Sequence, residues 1–319
     1  MKTIKIGTRG SKLALWQANH IKDLLIKNNP EIDFELVIIK TKGDKVLDTA
    51  LSKIGDKGLF TKELENALIS KEIDLAVHSM KDVPTKLIEG SFISTIITRE
   101  ESNDAFISNK YNSFSELPNG AIVGTSSLRR KAQLLIKRPD LTFIDIRGNV
   151  DTRLAKLDNA EYDAIILAYA GLYRLGWNSR IKEKIDFNTC LPAVGQGAIG
   201  LQIRENDGFI FKIVDKINDI KTSFCVNIER AFLSTLEGGC QIPIACQAYF
   251  NDDGLLIEGK VTSIDGVENV NKFITNKLTL EEVSKLDYKT SIREANFIGN
   301  SLATNLIELG ALRIITNIR

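Results

Sequence analysis

The chain has 319 residues, 43% of them hydrophobic and 26% charged, and a formal net charge of +1. It is long enough for two or three cored domains and carries no global field that would favour nucleic acid or an anionic membrane. No apolar run approaches membrane-spanning length and the first seven residues read as a strand rather than a signal peptide, so a cytoplasmic location is expected.

The first predicted strand, Thr3 to Thr8, alternates in polarity and ends in the turn Arg9-Gly10-Ser11. Ser11 is placed to N-cap a helix with apolar Leu13, Trp16, Ile21, Leu24 and Leu25. A strand from Phe34 to Lys40 follows, then a polar Gly-containing loop and a helix from about Thr61 to Ser70. Next, a strand from Ile73 to Val77 runs into His78-Ser79-Met80-Lys81-Asp82-Val83-Pro84. From Ala121 the grammar repeats: strand to Gly124, turn Thr125-Ser126-Ser127, helix Leu128 to Lys137 stopped by Pro139, and strand Leu141 to Ile146. Arg147-Gly148-Asn149, a helix Val150 to Leu157, a strand Ala164 to Ala168 and a short helix bearing Arg174 complete it. Two βαβ-type halves with mostly parallel sheets are expected.

A third unit starts near Ile220. Apolar Ile228, Phe232 and Leu236 mark one face of a helix that Gly238 is expected to end in a left-handed C-cap, which carries Cys240 on a bend before Pro243. A hairpin turns at Asn251-Asp252-Asp253-Gly254, Thr279 to Glu282 reads as a capping box, and a helix ends near Gly310. Cys190, Cys225, Cys240 and Cys246 have no CxxC spacing and do not form a disulfide framework. With only His20 and His78, a His-based metal site is not expected.

Loops after parallel strands share one edge, where doubly wound folds bind ligands. Arg9, Ser11, Lys81, Asp82, Ser126, Ser127, Arg129, Arg130 and Arg147 all fall at such strand ends, and seven of the 14 arginines lie between positions 99 and 174. Arg129 and Arg130 open a helix, where each cation opposes the macrodipole by roughly 0.3 to 1 kcal/mol, and a bound anion would reverse that cost. For this segment alone, Ser127 as an ordinary N-cap with both arginines in water is an equal reading. Adding Arg147, Arg153 and Arg174 favours a ligand with several carboxylates. Asp82 at this cationic rim suits stabilisation of a developing positive charge, against the plain reading of a Lys81–Asp82 surface pair. His78 is assigned no catalysis.

Seven ordered motifs resemble the porphobilinogen deaminase (hydroxymethylbilane synthase) family over nearly the whole chain. They are Arg9-Gly-Ser with Leu13-Ala-Leu-Trp-Gln17, Lys57-Gly-Leu-Phe60, His78 to Pro84, Gly124-Thr-Ser-Ser-Leu-Arg-Arg130, Arg147-Gly-Asn-Val-Asp-Thr-Arg153, Leu191-Pro-Ala-Val-Gly-Gln-Gly197 and Glu237-Gly-Gly-Cys-Gln241. Ile244-Ala245-Cys246 departs from the usual continuation and places a spare thiol near Cys240, and Asp56 stands where a glycine is common.

The resemblance implies an α/β fold of two periplasmic-binding-protein-like doubly wound domains plus a smaller α/β C-terminal domain. The divisions are 1-98 with 198-217, 103-191 and 220-319, with hinge crossings near Arg99 to Asn103 and Leu191 to Gly197. It implies a dipyrromethane cofactor on Cys240 by a thioether, Asp82 as the catalytic residue, and porphobilinogen as the substrate, condensed four times and released as hydroxymethylbilane by a monomer. The implied binding residues are Arg9, Ser11, Gln17, Lys57, Phe60, Lys81, Thr125, Ser126, Ser127, Arg129, Arg130, Arg147, Gly148, Arg153, Ala170, Gly171, Arg174 and Gln196. Phe60 reads equally as a cover over a pyrrole or as a core aromatic. Two other classes share parts of the pattern: a two-lobed anion-binding protein without chemistry, which normally needs export, and a cysteine-nucleophile enzyme, which needs a partner base.

Overall fold

The computed structural model describes residues 3–45, 58, 60–237 and 242–318. The first lobe holds β1 (Thr3–Thr8), α1 (Lys12–Asn28), β2 (Asp33–Ile38), α2 (Lys42–Lys45), α3 (Lys62–Ile69), β3 (Leu75–Ser79) and β4 (Ser91–Ile96). The second holds β5 (Asp104–Ile107), β6 (Ile122–Gly124), α4 (Leu128–Lys137), β7 (Thr142–Ile144), α5 (Val150–Asp158), β8 (Ala164–Ala168), α6 (Tyr169–Arg174) and β9 (Glu183–Ile185). The chain then returns to the first lobe as β10 (Ile199–Arg204) and α7 (Gly208–Asp215). The third unit is α8 (Ile220–Thr235), β11 (Ile244–Asn251), β12 (Gly254–Thr262), β13 (Asn269–Asn276), α9 (Leu280–Ser284), α10 (Tyr288–Glu308) and α11 (Ala311–Thr316).

The two large sheets run β2-β1-β3-β10-β4 and β7-β6-β8-β5-β9. Their central strands β3 and β8 are short apolar runs, buried almost throughout because helices cover both faces. The expectation of mostly parallel sheets needs one amendment in each lobe. β10 is antiparallel to both β3 and β4, and β5 is antiparallel to both β8 and β9. Both are the first strands after a crossing between lobes. A chain that enters at the edge where the other strands end must run away from that edge.

Each lobe has its own core. Ile4, Ile6, Ile21, Leu25, Leu75 and Leu201 lie in the first, and Phe106, Val123, Leu134 and Ile166 fill one face of the second. Ser11 caps α1 by accepting a hydrogen bond from the Ala14 amide at 3.3 Å, and Ala18, Ile21 and Leu25 form the helix's buried stripe. In the third unit α8 and α10 cover the antiparallel sheet β11-β12-β13, around Phe224, Phe232, Ile257 and Leu302.

Helix α8 begins well before the apolar face marked by Ile228 and ends at Thr235; Glu237 after it is left-handed, with φ +50°, and the C-cap expected at Gly238 lies outside the described residues. Helix α10 ends at Glu308, near Gly310 as read, and Gly310, itself left-handed, precedes α11. The hairpin Asn251–Gly254 and the Thr279–Glu282 capping box form as read.

The third unit grips the crossings. Arg99 donates to both oxygens of Glu229 on α8, at 2.6 and 3.1 Å, and its Nε to the Gln196 carbonyl at 2.7 Å. The same carboxylate, fully buried, accepts from the amides of Gly195 at 2.8 Å and Ala248 at 3.0 Å. Ser102 donates to Gln247 on β11 at 3.0 Å.

Candidate active site

At the carboxyl edge of the first sheet, the ends of β1 and β3, the start of α1 and Phe60 enclose a small cavity of about 60 Å³. Arg9, Ser11, Gln17, Phe60, His78, Ser79 and Asp82 are among its walls. Phe60 is half-buried, with its ring 4.2 Å beneath the Arg9 guanidinium, so it is neither a core residue nor an unattached cover. The Gln17 amide bonds the Ser79 hydroxyl at 2.9 Å, holding the end of β3 against α1. His78 shares a 2.9 Å hydrogen bond with Gln202, and burial pushes its pKa down to about 4. Neutral and enclosed, it is a structural group.

Asp82 lies at the end of a single 3-10 turn, Met80–Asp82, and is exposed. Beside it, burial pulls the half-buried Lys81 ammonium down to about 8, with Asp82 opposing and Arg130 and Arg129 reinforcing the shift.

The second lobe does not present Arg129 and Arg130 to water, nor as unoccupied anion receptors. Both are buried on Asp104: Arg129 Nη1 lies 2.8 Å from Oδ2, while Arg130 reaches Oδ1 with Nε at 2.9 Å and Nη2 at 2.7 Å. Arg129 also donates to the Leu191 carbonyl at 2.7 Å and Arg130 to that of Ile166 at 2.9 Å. Gln196 adds a bond to Asp104 at 2.9 Å and another to the Ser102 carbonyl at 2.6 Å. Burial alone would raise the Asp104 pKa, but Arg129 and Arg130 outweigh it and hold the carboxyl well below the usual range.

The three hydroxyls after β6 are also used locally. Ser127 caps α4, Thr125 accepts from the Ser127 amide at 3.3 Å, and Ser126 exchanges bonds with the Ile146 backbone at 2.8 and 3.0 Å. They fix the loop beside the arginines.

Arg147 and Arg153 behave differently. The Nε of Arg147 is buried with no hydrogen-bond partner among the described residues. Among the described residues Arg153 makes one bond, from Nε to the Gly148 carbonyl at 2.8 Å. That carbonyl is presented by a backbone with φ +106°, where a Cβ would also strike Thr152, so glycine is required at 148. Burial lowers Arg153 to about 10, and the charges of Arg130 and Arg147 lower it further while Asp82 opposes them. These guanidiniums, on either side of the β7–α5 turn, make no ion pair among the described residues, and Arg153 feels the charges of both Arg147 and Asp82.

Across the cleft, α1 meets the second lobe. Lys12 pairs with Asp151 at 2.9 Å, Leu13 lies against Gly171, and Arg174 sits 5.8 Å from the Trp16 ring while donating to the Gly197 carbonyl at 2.6 Å. Ala170 is buried beside them. Cys240 and Lys57 lie outside the described residues. The other three cysteines are buried; burial pushes Cys190 and Cys225 up to about 12 and Cys246 well above the usual thiol value. Cys246, the spare thiol of the sequence, is a core residue.

Sequence reasoning missed Asp104, Glu229 and Arg230. Asp104 had one signal, an acid opening the otherwise apolar run Asp104-Ala105-Phe106-Ile107. Glu229 and Arg230 had another, a charged pair inserted between the apolar Ile228 and Phe232.

Fold and site together define a class: two-lobed α/β proteins with an arginine-rich cleft between the lobes. Comparison with known proteins narrows it. The family model for the porphobilinogen deaminase dipyromethane cofactor binding domain matches residues 4–212, and that for the porphobilinogen deaminase C-terminal domain matches residues 223–308. The chain belongs to the porphobilinogen deaminase family. A porphobilinogen deaminase of Carboxydothermus hydrogenoformans is 50% identical over 318 residues, covering 100% of this chain and 98% of its own. One from Pelotomaculum thermopropionicum is 47% identical, covering 100% and 97%. Among solved structures, a putative methionine-binding lipoprotein from Bacillus subtilis matches 68% of this chain and 90% of its own, at TM-score 0.43 and 13% identity.

Proposed function

We propose that this family member works as a hydroxymethylbilane synthase with Asp82 as its catalytic carboxylate and Cys240 as the attachment point of its dipyrromethane. The observation that carries the reading is the pair Arg147 and Arg153, which make no ion pair among the described residues, one with a buried, unpartnered Nε and the other within the electrostatic reach of the exposed Asp82. A ligand bearing several acetate and propionate arms fits that excess of guanidinium donors, since bidentate carboxylate bonds would relieve both the missing hydrogen bond and the like-charge repulsion. When bound, the dipyrromethane supplies a free pyrrole α-carbon as the nucleophile for incoming porphobilinogen.

The chain's own residues then divide the work. Asp82 accepts from pyrrole N–H groups and stabilises the positive charge that develops as the substrate's aminomethyl group leaves as ammonia. Arg147, Arg153, Arg174, Arg9, Lys81 and Ser11 receive carboxylate arms of cofactor and substrate, with Phe60 against a pyrrole face. Arg129, Arg130 and Gln196, anchored on Asp104, fix the floor beneath them, and their remaining N–H groups line the same receptor. Thr125, Ser126, Ser127 and Gly148 shape its rim; Gln17 holds the end of β3 against α1, Ala170 and Gly171 lie at the contact between the lobes, and Lys57 adds a further cation.

The working units are 1-98 with 198-217, 103-191 and 220-319. The return of β10 to the first sheet supports that division. The protein acts as a monomer in the cytoplasm, and among its described residues no helix is long and apolar enough to cross a membrane.

Intact mass spectrometry tests the reading. The native chain is expected to be heavier than its sequence by one dipyrromethane, and Cys240→Ser to lack that mass and form no hydroxymethylbilane. An unmodified chain with full activity would overturn it.

A further inference from the structure

Arg230 is half-buried and directs its guanidinium at backbone. It projects from α8 of the third unit into the first lobe, where Nη1 donates to the Val83 carbonyl at 3.1 Å and Nη2 to the Pro84 carbonyl at 2.9 Å. Those carbonyls directly follow Asp82. The amide of Val83 closes the 3-10 turn by donating to the Met80 carbonyl at 3.2 Å, and the Met80 amide ties the start of the turn to the Ala198 carbonyl at 3.0 Å, so the two Arg230 bonds are what hold its exit from outside.

Val226, one helical turn before Arg230, packs against Met80 and Val83 and already attaches α8 to this turn by apolar contact. Attachment alone therefore does not require a guanidinium. Burial lowers Arg230 to about 10, and among the described residues no carboxylate opposes the shift. Such a group is costly to keep, and a planar fork gripping two successive carbonyls fixes orientation in a way that apolar packing and a single ammonium do not.

We infer that Arg230 is a positioning residue, which sets the direction of the Asp82 carboxylate by holding the backbone at Val83 and Pro84 in register with α8. The inference rests on the assignment of Asp82 as the catalytic carboxylate.

The experiment compares Arg230→Met, Arg230→Lys, Asp82→Asn and the Asp82→Asn/Arg230→Met double variant. Steady-state turnover of porphobilinogen is read together with hydrogen–deuterium exchange of the segment 80–86. Arg230→Met should keep its attached-cofactor mass and its KM while kcat falls by about 10- to 100-fold, the scale of an ångström-level misplacement. Exchange at the Val83 amide should rise. Arg230→Lys should show the same kcat loss, because one ammonium cannot span both carbonyls. In the Asp82→Asn background, removing Arg230 should cost no further turnover, whereas a general structural role would cost the same factor in both backgrounds. Parental kcat in Arg230→Met or Arg230→Lys, unchanged exchange at 80–86, or an equal loss in both backgrounds overturns the inference while leaving Asp82 in place. Near-parental turnover of Asp82→Asn overturns the assignment of Asp82, and the inference falls with it.

Discussion

Five arginines of the second lobe share one chemistry and play two roles, and their partners decide which. Arg129 and Arg130 are committed to Asp104, a buried pairing whose disruption leaves charge stranded. Arg147 and Arg153 have no such acid, and Arg174 donates to the Gly197 carbonyl. Truncation should therefore separate the roles. Arg129→Leu is expected to destabilise folding by on the order of 3 kcal/mol, and its loss of activity follows from that. Arg147→Leu removes an unpartnered buried donor and a like charge. Its unfolding free energy should stay within about 0.5 kcal/mol of the parent while attached-cofactor mass or porphobilinogen turnover is lost. Urea denaturation of both variants, read alongside intact mass, checks the pair. Equal destabilisation would mean that Arg147 is structural. The arginine excess was legible in the sequence; the split was not, because it depends on Asp104, which is 26 positions from Arg130 and meets it only after β5 docks beside β8.

Helices and strands were legible where local chemistry is strong: the Ser11 and Ser127 caps, the Thr279 capping box, and the apolar runs of β3 and β8. The direction of β5 and β10 was not, since an apolar strand has the same pattern whichever way it runs. The length of α8 was also understated. Its first two turns bury residues against the crossings as well as the core, which blurs a single stripe, as Thr222 shows by accepting from the Arg99 amide at 3.1 Å. Where α8 crosses α10, Gly299 sits against the Ile228 carbonyl and Ala231, so an added Cβ has no room and the helices must part. Gly299→Ala should thus destabilise by about 1–3 kcal/mol despite the better helix propensity of alanine. A higher thermal midpoint for that variant would show that propensity wins over packing there.

At the scale of the molecule, the contacts between lobes fall into two groups of unequal strength. At the cleft mouth, the exposed Lys12–Asp151 pair is worth about 0–1 kcal/mol, and the Trp16–Arg174 stacking is a modest addition. At the crossings, the Glu229 carboxylate is fully buried and accepts from Arg99, Gly195 and Ala248 at once, tying both connecting segments to the third unit. This inequality predicts that the lobes separate at the mouth and pivot about the crossings, which would suit a cleft that must admit several substrates in turn. Glu229→Gln tests the fixed point. The amide keeps the shape of the side chain but removes the negative charge and replaces one acceptor oxygen with a donor. Arg99 is left buried without its counterion, at a cost of about 3–5 kcal/mol. Chemical denaturation should show that loss, whereas Lys12→Met should shift stability by no more than about 1 kcal/mol. If Glu229→Gln unfolds at the parental midpoint, the crossings are not the mechanical anchor and the pivot must lie elsewhere.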